Sequence, residues 1–124
     1  EWKDSADVVL CDVPCSGLGI IRKKPEIRFK NPDEIRTLPE IQARILANCA
    51  QYVKKGGTLV YSTCTILQRE NEDVVRAFLT ENPEFEAVSW THPVCGERAD
   101  GMVTLLPPVH NTDGFFIAKM HRKV

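Results

Sequence analysis

The stretch VVLCDV, residues 8–13, decides how this chain is read. It is short, rich in valine, and free of polar residues until Asp12. A continuous apolar run of this kind suits a strand buried on both faces of a parallel sheet, because a half-exposed strand would alternate. Only seven residues precede it. Beyond it, SGLGIIRKKPEIRFKNP, residues 16–32, reads as a long loop with a basic cluster.

Further outward, Asp33 to Ile35 suits a single helical turn, and a longer helix is expected from about Leu38, with Pro39 in its first turn. Ile41, Ile45, Leu46, Cys49 and Val53 recur at helical spacing and form its expected buried stripe. Lys54, Lys55, Gly56 and Gly57 suit a cationic last turn and a left-handed stop. TLVYS, residues 58–62, is the second buried strand. Strand, helix and strand in this order predict a right-handed parallel crossover.

A second helix is expected from about Arg69 to Glu81, with Val74, Val75, Phe78 and Leu79 inward and Asn82-Pro83 ending it. EFEAVSW alternates as a strand does, and an irregular stretch follows from Thr91 to about His110. NTDG, residues 111–114, reads as a turn. FFIAKMH is a last strand, antiparallel because a turn rather than a helix introduces it. The pattern describes an α/β fold, half of a doubly wound sheet. A fold of this kind binds its ligand near the first strand, where strand order reverses.

The 124 residues make one domain at most, and their 43% hydrophobic and 27% charged content is that of an ordinary soluble globular protein. A net charge of −1 gives no overall electrostatic case for nucleic acid. Locally, Arg22, Lys23, Lys24, Arg28 and Lys30 fall within nine positions, which charge alone reads as a solvated loop. No apolar segment approaches the about 20 residues that span a bilayer. The start does not resemble a signal peptide. Five cysteines, Cys11, Cys15, Cys49, Cys64 and Cys95, include no C-x-x-C pair. That odd set argues against a disulfide framework and a conventional zinc site, and it fits a reducing cytoplasm.

SGLG is a tight turn rather than a dinucleotide loop, since no third glycine and no immediate helix follow. Cys15 and Cys64 are sharper candidates. Both stand at the C-terminal ends of expected neighbouring strands, the edge where open parallel sheets place ligands. Cys11 and Cys49 read as packing residues, and Cys95 has no assigned role. His92, His110 and His121 are scattered and lack metal-ligand spacing. Glu70, Asn71, Glu72 and Asp73 read as a first helical turn favoured by the helix dipole.

Together these residues resemble the NOL/NOP/Sun RNA cytosine-5 methyltransferases, especially the bacterial Sun-type ribosomal RNA enzymes. DVPCSGLGIIRKKPEI, residues 12–27, is similar to their fourth motif, with Val13 where alanine is commoner. YSTCT, residues 61–65, is similar to their sixth, with ENE, residues 70–72, following as it commonly does. DGFFIAK, residues 113–119, resembles the end of the same domain. The likeness covers nearly the whole chain, in order and spacing.

The resemblance implies a Rossmann-like, S-adenosylmethionine-dependent fold of which this chain is the C-terminal half, parallel strands closing with an antiparallel one. The family's glycine-rich cofactor loop, next acidic residues and RNA-binding region would precede it. A chain without them is expected to be inactive alone and not to bind S-adenosylmethionine tightly. By resemblance Cys64 is the nucleophile, Cys15 serves release, and Asp12 contacts the cofactor or the cytosine ring. Arg22, Lys23, Lys24, Arg28 and Lys30 would hold phosphates of the RNA, by implication ribosomal. The residues alone do not say which thiol does what. An open strand from Val8 to Leu10 predicts self-association. A thiol redox or hydrolytic enzyme and a non-catalytic interaction fragment are the other readings. The first would need a C-x-x-C or a placed histidine, and binding of S-adenosylmethionine would argue against the second.

Overall fold

The computed structural model describes residues 3–16, 32–93, 96–98, 100–105 and 114–124, with side chains in the first helix from residue 37 onward. Strand β1 (Ala6–Asp12) and strand β2 (Val53–Thr63) are parallel neighbours, joined through helix α1 (Pro32–Ala50). A single 3-10 turn (Gln68–Glu70) leads into helix α2 (Glu72–Glu81). Short strands follow: β3 (Phe85–Ala87), β4 (Trp90–His92), β5 (Gly96–Arg98) and β6 (Met102–Leu105). Strand β7 (Phe115–Arg122) runs antiparallel to β2, as its turn-introduced sequence predicts. The sheet order is β1-β2-β7-β3, and β6 also pairs with β7, while β4 and β5 form a separate two-stranded ribbon.

Cross-strand register assigns the two faces. Cys11 pairs with Tyr61 and Tyr61 with Ala118; Val9 pairs with Leu59 and Leu59 with Met120. Paired residues point to the same side of a sheet. This face is buried with Leu46 and Ala50 of α1 and Val74, Val75 and Phe78 of α2 in one core. The opposite face is open at β1, where Val8 is 63% and Leu10 66% exposed. The expected burial of β1 on both faces is therefore corrected: among the described residues, β1 pairs only with β2, and one side alone carries helices.

Several boundaries also move. Helix α1 starts at Pro32 rather than near Leu38, so Pro32 takes the first-turn position and Pro39 lies inside. Its buried line is Gln42, Leu46 and Ala50, spaced four apart, and Ile41 is exposed. The helix ends at Ala50, and Lys54 to Gly57 belong to β2 instead of a helix stop. The incoming chain causes this: Asp4 N–H donates to Gln51 O at 3.0 Å and Ala6 N–H to Tyr52 O at 2.8 Å. Register then shifts from Ala6 opposite Val53 to Val8 opposite Thr58, and left-handed Gly56 (φ +81) sits in the bulge.

Helix α2 begins after a 3-10 turn rather than at Arg69, with Asn82 as its C-cap. EFEAVSW, read as one strand, is divided between β3 and the first residue of β4, and the stretch read as irregular contains the rest of β4 with β5 and β6. Gly101 lets it close on the sheet. It has φ +73, and a Cβ there would lie 2.7 Å from Val88 O and 2.8 Å from Lys119 O. The NTDG turn lies outside the described residues but for its glycine.

Candidate active site

Because β1 and β2 are parallel neighbours, their C-terminal ends deliver two loops side by side. Asp12 stands opposite Ser62, and Val13 N–H still donates to Ser62 O at 3.2 Å. Pro14 has no N–H to continue the ladder, so the first chain turns away there. Cys15 and Cys64 follow at once. Their sulfurs are 2.9 Å apart, and Cys64 N–H donates to Cys15 Sγ at 3.3 Å. Both thiols are free and half-buried. Burial first, and then the hydrogen bond with Cys15, push the Cys64 thiol up to about 12. Cys64 therefore holds its proton at neutral pH until something at the site removes it.

Asp12 is exposed at the mouth of the two loops, and its Oδ1 accepts from Ser62 Oγ at 3.1 Å. Cys11 is buried in the core, where burial and Cys49 raise its thiol to about 12. That agrees with the packing role read for both. His121 approaches Glu86 at 3.4 Å, and His92 packs edge-on against Trp90. No metal-ligating cluster occurs among the described residues. Arg22, Lys23, Lys24, Arg28, Lys30, Cys95 and His110 lie outside the described residues.

Behind the thiols lies a polar layer that the sequence reading missed. Glu70, read as part of a first helical turn favoured by the helix dipole, is wholly buried, and so is Asn71. Ser16 N–H donates to Glu70 Oε1 at 2.8 Å and Ser16 Oγ to Oε2 at 2.7 Å. Thr65 Oγ1 lies 3.1 Å from Oε2, and Gln42 Nε2 donates to Oε1 at 3.0 Å. Gln42 Nε2 also reaches Pro14 O at 3.0 Å. Asn71 Oδ1 accepts from Thr63 Oγ1 at 2.6 Å, and its Nδ2 donates to Thr65 O at 2.9 Å. Tyr61 OH, deep in the core, donates to Glu70 O at 2.6 Å. Helical spacing bears on Gln42, which precedes buried Leu46 by four in α1; Glu70 and Asn71 lie before α2, in a 3-10 turn and at its N-cap, where that spacing does not apply.

Known proteins bear on the same residues. The family described as 16S rRNA methyltransferase RsmB/F matches residues 2–121. The probable ribosomal RNA small subunit methyltransferase B of Bacillus subtilis is 46% identical over 123 residues, 94% of this chain and 28% of the relative. The crystal structure of PH0851 superposes with a TM-score of 0.89 at 38% identity, covering 97% of this chain and 27% of that one. NSun6 from Pyrococcus horikoshii, solved with SFG, gives a TM-score of 0.77 at 27% identity, covering 91% and 29%. The chain thus spans between a quarter and a third of the length of these proteins. A match through β1, both cysteine loops and most of β7 places this chain in the Sun-type family of RsmB/F ribosomal RNA methyltransferases.

Proposed function

We propose that this chain carries the thiol pair of an enzyme that methylates carbon 5 of a cytosine in ribosomal RNA. The observation behind this reading is the contact of Cys15 and Cys64, 2.9 Å apart at the ends of adjacent parallel strands. Carbon 5 of cytosine is too weak a nucleophile to take a methyl group directly. Once its proton has passed to a base at the site, Cys64 Sγ adds to carbon 6 and places an electron pair on carbon 5, which can then accept the methyl group. S-adenosylmethionine supplies that methyl, activated on a sulfonium. Loss of the carbon 5 proton to a base returns the pair to the ring and expels the Cys64 sulfur. Across these steps the cytosine gains one methyl and loses one proton, the methyl donor leaves as a thioether, and Cys64 takes its proton back.

The resemblance assigns Cys64 to attack and Cys15 to release. Asp12 fits a cofactor or ring contact, since its carboxylate is exposed beside the thiols and needs donors. The basic segment from Arg22 to Lys30 would take RNA phosphates around a flipped base, a role that the family resemblance implies. The reading puts the protein in the cytoplasm and makes the remaining length seen in the relatives necessary for activity. Contact between two thiols also suits redox or hydrolytic chemistry, but the pair is not a C-x-x-C and no histidine lies near either cysteine in sequence.

The test is a denaturing gel with substrate RNA and S-adenosylmethionine, using a protein of the relatives' full length. Cys15→Ala should stall with RNA attached through Cys64, and Cys64→Ala should give neither adduct nor methyl transfer. Activity of Cys64→Ala within tenfold of wild type would show that the wrong thiol has been named.

A further inference from the structure

Every buried polar side chain among the described residues (Ser16, Gln42, Thr63, Thr65, Glu70, Asn71) belongs to the one layer behind the thiols. Glu70 lies at its centre, and no cation pairs with it among the described residues. Burying a carboxylate is costly unless hydrogen bonds compensate, and an apolar side chain would fill the same volume without that cost. The contacts show what the carboxylate does that an apolar side chain does not. Ser16 adjoins Cys15, Thr65 adjoins Cys64, and Gln42 holds Pro14 O, so one side chain ties both thiol loops to helix α1.

We propose that Glu70 is the positioning residue that keeps the Cys15 and Cys64 thiols in contact. Its backbone is held independently by Tyr61, which leaves the side chain to grip the loops. Ser16 Oγ, Thr65 Oγ1 and Glu70 Oε2 form a triangle with edges of 2.7, 2.8 and 3.1 Å. Both hydroxyls can donate to Oε2 at once, so the carboxylate is the acceptor that the two loops share. Among the described residues Gln42 Oε1 is buried without a partner, so this side chain is oriented by what its amide nitrogen donates to, Pro14 and Glu70. The inference rests on the proposed function for its purpose, while its test needs only the thiols.

The test equilibrates the protein with oxidised and reduced glutathione and quantifies the linked Cys15–Cys64 peptide by mass spectrometry. Two thiols and one glutathione disulfide give one protein disulfide and two glutathione thiols, so the constant reports how closely the pair is held. The sulfurs need only close from 2.9 Å to the about 2.05 Å of a disulfide. Glu70→Ala should lower the constant at least tenfold. Glu70→Gln, which keeps an oxygen for the Ser16 and Gln42 donors, should stay within about threefold.

Cys11 and Cys49, a neighbouring pair with no hydrogen bond to Glu70 among the described residues, are the internal reference and should not change. A purely stabilising Glu70 would loosen both pairs alike, and that result overturns the proposal. So does a Cys15–Cys64 constant within twofold of wild type in Glu70→Ala. Should that variant not fold, Thr65→Val removes one loop's grip at constant shape and should still give at least a threefold fall; no fall overturns the proposal. A Cys15→Ala protein of the relatives' full length that forms no cysteine adduct with RNA would sink the proposed function and leave this measurement standing.

Discussion

Cys64 keeps its proton tightly, and that has measurable consequences. Its thiol is raised from 9.0 to about 12, first by burial and then by Cys15. Alkylation by iodoacetamide requires the thiolate. The rate at Cys64 should therefore keep climbing above pH 10 instead of levelling near pH 9, as followed by mass spectrometry of the alkylated peptide. Levelling near 9 would show an ordinary, solvated thiol. The same displacement affects stability. Between 9.0 and about 12 the folded chain binds more thiol protons than the unfolded chain, at Cys64 and at Cys11. Their contribution is intact below pH 9 and is lost as pH rises through about 12. At this scale the two thiols were legible because each follows an apolar strand in a motif-bearing loop. Glu70 was not: an acid before a helix looks like a dipole partner until the chain folds over it.

For helix α1, one residue of rotation separates the expected stripe from the observed one. Ile41 was expected inward, yet it is 39% exposed while Gln42 is buried. Apolar periodicity could not select Gln42, because its burial depends on acceptors at Pro14 and Glu70, distant in sequence. The rotation predicts unequal costs. Leu46→Ala should destabilise by about 2–5 kcal/mol, since Leu46 is wholly enclosed. Ile41→Ala should cost about 0.5 kcal/mol or less, as a surface change does. Urea unfolding of the two variants measures both. Equal losses would mean that Ile41 belongs to the core. The stop signal Lys54 to Gly57 was misplaced for a related reason. Gly56 does adopt a left-handed conformation, but in a strand bulge created by pairing with β1.

At the scale of the whole molecule, the two edges of the sheet differ. β7 is flanked by β2 on one edge and by β3 and β6 on the other. β1 pairs only with β2 among the described residues, and it exposes Val8 and Leu10. An uncovered edge with apolar side chains recruits another edge. The chain should therefore self-associate, and sedimentation equilibrium should show a mass above the monomer that rises with concentration. Leu10→Lys should shift it toward monomer, because a charge on the patch opposes pairing. A clean monomer at high concentration in the wild type would remove β1 as a contact surface.

Much was decided by sequence alone: two parallel strands joined by a helix, a last antiparallel strand, and two thiols at neighbouring strand ends. These follow from local properties, since apolar runs, helical spacing and turn residues act on the chain near where they occur. Only the tertiary structure decided which acids and amides go inside. Glu70, Asn71 and Gln42 are buried because hydroxyls, amides and carbonyls from β1, β2 and their loops meet them there. A polar side chain can leave water only where such partners converge, and that convergence exists only once the crossover has closed.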